Sequence, residues 1–272
     1  MKFVFENESE IAIQVVKNRV IDLSEVDFLD PWTMVLICLL LIERHNLSDK
    51  KIILPKNEEL LKYLKRMHFN NILTELGYFI EAEILERVQA PEKYNMNIQE
   101  ILHCSTRDQF DGRLGRFVSM FQHFGLDENE AKRATSLIGE LGNNTFDHNL
   151  GNWPTDVSGC IIAAQNYPNL KRIQVAVGDP GVGFLGSLKA AFPELTNDIE
   201  AVKKGLGGNS GRIGEVRGNG LRIIQNWTID NFSGMLAIHS GEGFVQVEKD
   251  RMMEKRVNRI LGTVAQIMIY YK

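Results

Sequence analysis

The chain has 272 residues, 31 Lys+Arg against 35 Asp+Glu, a formal net charge of −4 and 44% hydrophobic residues. That length holds two domains of ordinary size or one large one, and no basic stripe with interleaved aromatics marks a nucleic-acid binder. Cys38, Cys104 and Cys160 are far apart in sequence and show neither metal-site spacing nor an even-numbered disulfide framework, which fits a reducing cytoplasm. The longest apolar run, residues 34–42, is about half of what a bilayer requires. The N-terminal Met1-Lys2-Phe3-Val4-Phe5 turns acidic at once, unlike a signal peptide. A cytoplasmic protein with no membrane segment is expected.

Residues 1–90 read as a small alternating β/α unit. Strand character appears at 2–5, 11–16 and 19–23, and the apolar body of 31–45 has helical length. A short strand follows at 51–55, and then an amphipathic helix over 57–67, capped by Asn57, with Leu60, Leu61 and Leu64 inward. Strands separated by helices favour a mixed or parallel sheet. At Ile21-Asp22-Leu23-Ser24-Glu25-Val26-Asp27-Phe28-Leu29-Asp30 the chain resembles the STAS domain, the fold of anti-sigma-factor antagonists, over roughly its first 80 residues. The resemblance implies recruitment of a protein partner and a phosphorylatable Ser or Thr directly after Asp30. Pro31 stands at that position, comfortable in a first helical turn but unable to accept phosphate. A docking or dimerising domain without switch chemistry is therefore expected, and a homodimer is compatible with it.

Ala90-Pro91-Glu92-Lys93 breaks the pattern and sets a boundary, with a second domain over 91–272. A strand is expected at 97–104, then a helix over 107–124 with Phe110, Leu114, Phe117, Val118 and Phe121 on one face. Asp127 and Glu130 form a capping box for the next helix, which carries the stretch around which the chain is organised, residues 137–148. At 3.6 residues per turn, Glu140, Asn144, Asp147 and His148 share one polar ridge, while Leu137, Ile138, Leu141 and Thr145 face a sheet. Asn144 offers a neutral hard oxygen to Mg2+, and Glu140 can polarise a water beside a metal-bound phosphate. Taken alone, such a ridge is an ordinary solvated face.

Three stretches later in the chain give the ridge a context. Asp179-Pro180-Gly181-Val182-Gly183 ends the apolar run 173–177, Gly218-Asn219-Gly220-Leu221 opens a helix, and Gly262-Thr263 opens the last apolar run. Together, and in this order, these resemble the GHKL nucleotide-binding fold of gyrase B, heat-shock chaperones, MutL, sensor histidine kinases and anti-sigma-factor serine kinases. The expected fold class is thus α/β in the α+β sense, a two-layer Bergerat-type sandwich on a mixed sheet preceded by the small β/α unit. The resemblance implies ATP and Mg2+ as cofactors, with Glu140 catalytic and Asn144 on the metal. It further implies nucleotide contacts at Asn144, Asp147, His148, Asp179, Gly181, Gly183, Gly218, Asn219, Gly220, Leu221 and Thr263. Asp179 at a strand end suits an adenine amino group, and Thr263 supports it. Antiparallel strands are expected at 159–165 and 171–177, and a hairpin around 240–243. Residues 186–217 look like a glycine-rich lid with Lys203, Lys204, Arg212 and Arg217 as candidate phosphate cations. A P-loop is excluded, since no Gly-x-x-x-x-Gly-Lys-Ser/Thr occurs. Two functions stand side by side: a Mg-dependent ATPase or serine/threonine-type kinase, and an ATP-dependent interaction switch with little or no hydrolysis.

Overall fold

The structure, a computed structural model, describes residues 2–5, 16–17, 20–89, 97–149, 152–209 and 219–272. The expected strand at 11–16 falls almost wholly outside these residues, as do the boundary at 90/91, Gly218, Arg212 and Arg217. Among the described residues no helix is long and apolar enough to cross a membrane.

The chain is a mixed α/β protein built on a seven-stranded sheet. Its strands are β6 (Ile98–Cys104), β7 (Cys160–Tyr167), β8 (Arg172–Asp179), β9 (Met235–Ser240), β10 (Gly243–Glu248), β11 (Arg251–Arg256) and β12 (Thr263–Tyr270). They lie in the order β11-β10-β9-β12-β8-β7-β6. Every neighbouring pair is antiparallel, where a mixed sheet was expected. Mixed pairing occurs instead in the first third. There β3 (Val20–Asp22) runs antiparallel to β2 (Val16–Lys17) and parallel to β5 (Lys51–Ile53), and β1 (Lys2–Phe3) runs parallel to β4 (Phe28–Leu29). The unforeseen β11 is an edge strand whose run Arg-Met-Met-Glu-Lys-Arg has no apolar alternation to reveal it. Charge on an edge is a common guard against stray pairing.

The central strands alternate strictly between two cores. On β8, Ile173, Val175 and Val177 enter one cluster and Ala176 the other; on β12, Ala265, Ile267 and Ile269 oppose Val264 and Met268. A sheet buried on both faces favours apolar residues on both sides of each strand, hence the nearly continuous runs, interrupted by the buried Gln174 and Gln266. The first face is covered by α5 (Arg107–His123), α6 (Glu128–Asn149), α8 (Asp198–Leu206) and α9 (Gly220–Asp230). The second is covered by α1 (Pro31–Arg44), whose first twelve residues are all buried. A helix apolar all round must be enclosed. Here α1 packs on β7, β8 and β12 and shares one core cluster with Ile21 of β3, Ile52 of β5 and the helices α2 (Glu58–Arg66), α3 (Phe69–Glu75) and α4 (Phe79–Glu86). Residues of the first third and of the large sheet thus share one core.

Asp30 caps α1 and anchors this packing. Its carboxylate accepts hydrogen bonds from the Thr33 N–H and Oγ1, the Phe5 N–H and, from the sheet, Gln174 Nε2 at 2.8 Å. Burial pushes its pKa above the ordinary carboxylate value, opposed by those donors. On the other face, a Cβ on Gly142 would stand 2.1 Å from Phe110 Cζ. The glycine in α6 is what lets α5 approach.

Candidate functional site

Helix α6 starts as its composition requires: Glu130 N–H donates to Asp127 Oδ1 at 2.8 Å, and Asp127 N–H donates to Glu130 Oε2 at 3.1 Å. The helix runs on to Asn149, with Leu137, Ile138, Leu141 and Thr145 buried against the sheet. Its polar ridge borders a pocket of about 690 Å³ of open space, mouth included.

Four separated stretches meet there. Asn144 and His148 from α6, Asp179 from the end of β8, Leu221 from α9 and Thr263 from the start of β12 all line the pocket. Gly183 joins them as the first residue of α7 (Gly183–Leu188). Its φ of +69° is left-handed backbone that favours glycine. A Cβ there would also meet Ser240 Oγ at 2.8 Å. Gly181 packs against Asn149, leaving no room for a side chain.

Asp179 is 9% exposed. Its Oδ1 accepts from the Gly181 N–H at 2.9 Å and from Asn149 Nδ2 at 3.0 Å. Burial raises its pKa to about 7, while those two donors pull the other way. Thr263 is its direct partner across the β8–β12 ladder, and the Thr263 hydroxyl donates to Ser240 Oγ at 3.1 Å. Ser240 Oγ in turn accepts from the Phe184 N–H at 2.9 Å. The two strand ends and the start of α7 are thereby tied together.

At the other end of the ridge, Glu140 is exposed and is not among the pocket-lining residues. It borders the start of α9: a Cβ on Gly220 would lie 3.0 Å from Glu140 Oε2 and 4.0 Å from both Asn144 amide atoms. Asn219 makes no side-chain cap to α9, so the first N–H groups of that helix face this corner uncapped by it. Among the described residues no group of three or more His, Cys, Asp or Glu is arranged to hold a metal. A hard cation beside Asn144 would need oxygens from a bound ligand, the usual habit of Mg2+ with phosphates.

Other expected site residues lie elsewhere. Asp147 is exposed and pairs with Arg107 of α5; the 100° step between successive helical positions turns it off the pocket side. Lys203 pairs with Glu254 at 2.7 Å, and Lys204 lies over the Phe192 ring. The stretch expected as a lid holds α7 and α8 over its described part. Asn149, Ser187 and Asn209 line the pocket without having been foreseen. Ser187 Oγ lies 3.0 Å from His148 Nδ1. Asn149 had one signal in the sequence: a carboxamide directly after His148, at a helix end.

No protein-family model matches the chain, and no curated protein sequence matches it.

Proposed function

We propose that this pocket binds ATP with Mg2+ and that the chain is a GHKL-type ATPase or serine/threonine-type protein kinase. The observation carrying this reading is the meeting of Asn144, Asp179, Leu221 and Thr263 in one pocket from stretches scattered over some 120 residues. In this reading the buried Asp179 carboxylate accepts from the adenine amino group, with Gly181 and Gly183 giving the base room. Asn144 shares the metal with phosphate oxygens, and the first N–H groups of α9 at Gly220 receive the phosphates. Glu140 activates the attacking water or hydroxyl.

The exposure of Glu140, outside the pocket lining, favours keeping the second reading, a nucleotide-dependent interaction switch with slow hydrolysis. In both readings the protein works in the cytoplasm, and its STAS-like first third recruits a protein partner. The exposed Phe79, Ile80 and Ile84 on α4 support such a role.

Calorimetric titration with ATP and GTP, with and without Mg2+, tests the proposal. ATP should bind, GTP should not, and Asn144→Ala should abolish the Mg2+ dependence. GTP binding as tight as ATP would remove the adenine assignment.

A further inference from the structure

Cys104 closes β6 and Cys160 opens β7, and the register sets them directly opposite as the last pair of that antiparallel ladder. Opposed residues of such a pair project to one face with Cα atoms about 4.5 to 5.5 Å apart. A disulfide spans Cα separations of roughly 4.4 to 6.8 Å. Both thiols are free and lie in the same apolar cluster. Gly159, at φ +100°, brings the chain into β7 so closely that a Cβ there would stand 2.0 Å from the Cys104 carbonyl oxygen. Ser105 and Thr106, just beyond, are exposed. The pair therefore stands at the end of a ladder on an edge strand, where local fraying costs least.

We propose that Cys104 and Cys160 form a reversible disulfide site, closed by a peroxide. Cys104 is the attacking sulfur: it adjoins the exposed Ser105, whereas Cys160 is fully buried, and the neighbouring Cys160 thiol favours its thiolate, lowering the Cys104 pKa while that of Cys160 rises. The Cys104 thiolate attacks one peroxide oxygen. An S–O bond forms, the O–O bond breaks, and the departing hydroxide takes up the proton that the thiol released, giving water and a sulfenic acid. The Cys160 sulfur then attacks the Cys104 sulfur. The S–S bond forms, the S–O bond breaks, and hydroxide leaves with the Cys160 proton as a second water. Two thiols are oxidised and one peroxide is reduced.

The crosslink would fasten edge strand β6, and through it the start of α5, to the strand beside Asp179: Ile161, next after Cys160, pairs with Gly178. Cys38 lies in α1, in the core on the opposite face of the sheet. It serves as an internal control.

The reduced full chain is treated with hydrogen peroxide, the remaining thiols are alkylated, and the protein is digested without reductant for mass spectrometry. Met252, 48% exposed, reports the dose through its sulfoxide. The expected result is a linked peptide holding Cys104 and Cys160, an intact form lighter by the mass of two hydrogens, alkylation at Cys38 alone, and recovery of both thiols with dithiothreitol. Cys38→Ser should give the same link. Cys160→Ser should leave a dimedone-trappable sulfenic acid at Cys104 and no link. Recovery of both Cys104 and Cys160 alkylated at doses that oxidise Met252, or passage of Cys104 to sulfinic acid without a link, would overturn the inference.

Discussion

Asn149 Nδ2 donates to Asp179 Oδ1 across 3.0 Å, and Asn149 Oδ1 accepts the Val182 N–H at 2.9 Å, so one buried carboxamide joins α6 to both sides of the Asp179–Val182 turn. The same Nδ2 donates to the Thr145 carbonyl at 2.9 Å. Asn149→Leu removes all three bonds and leaves the Val182 N–H without its acceptor. The variant should lose about 1 to 3 kcal/mol of stability and bind ATP roughly tenfold or more weakly. Urea denaturation and calorimetry check the two effects. Unchanged affinity in a folded Asn149→Leu protein would mean that Asp179 needs no such positioning.

The raised pKa of Asp179 makes stability depend on pH in a definite direction. Unfolded, the carboxyl loses its proton near pH 4; folded, it holds it to about 7. Between those values the folded protein carries a proton that the unfolded chain has lost, so this group's contribution falls as pH rises from about 4 to about 7 and is gone above it. Asp179→Asn mimics the neutral form and should flatten the stability profile over that window. It should also be more stable than wild type at pH 8. A ligand donating to the ionised carboxylate should bind wild type more weakly below about pH 7. Parallel profiles for wild type and variant would show that Asp179 titrates normally.

Glu140 separates the two functional readings. A base acting on the attacking nucleophile contributes to the chemical step alone, so Glu140→Ala should keep ATP affinity while lowering turnover by roughly 10²-fold or more. Steady-state phosphate release and calorimetry on the same preparations measure both. Background turnover in wild type, matched by the variant, would leave the interaction switch as the surviving reading, with ATP acting by differential affinity for two conformations.

Thr33 should not be a phosphorylation site. Beyond Pro31, which lacks a hydroxyl, Thr33 is fully buried at the first turn of α1 and its Oγ1 donates to Asp30 at 2.8 Å. Mass spectrometry after incubation of the full chain with ATP should find Thr33 unmodified. Stoichiometric phosphate there would require α1 to leave the sheet.

Local order was written plainly in the chain. The apolar body of 31–45 had helical length, Asn57 and the Asp127–Glu130 box marked helix starts, and β7 and β8 were expected as an antiparallel pair. These features depend on period, capping chemistry and chain neighbours, all of which the sequence states directly. It also set out which face of α6 is apolar, and so brought Asn144 and His148 to the pocket edge.

What only the tertiary structure decided is which distant side chains share a partner. Asp147 sits on the expected helix, yet Arg107 is near enough to take it; Lys203 lies in the expected region, yet Glu254 on an edge strand holds it. Asn149 reaches Asp179 thirty positions away, and Gly220 lies against Glu140 across eighty. Cys104 and Cys160, far apart in the chain, oppose each other through strand register. Periodicity assigns a residue to a face of its own element. It does not set the register and packing between elements, and partner, burial and pKa follow from those.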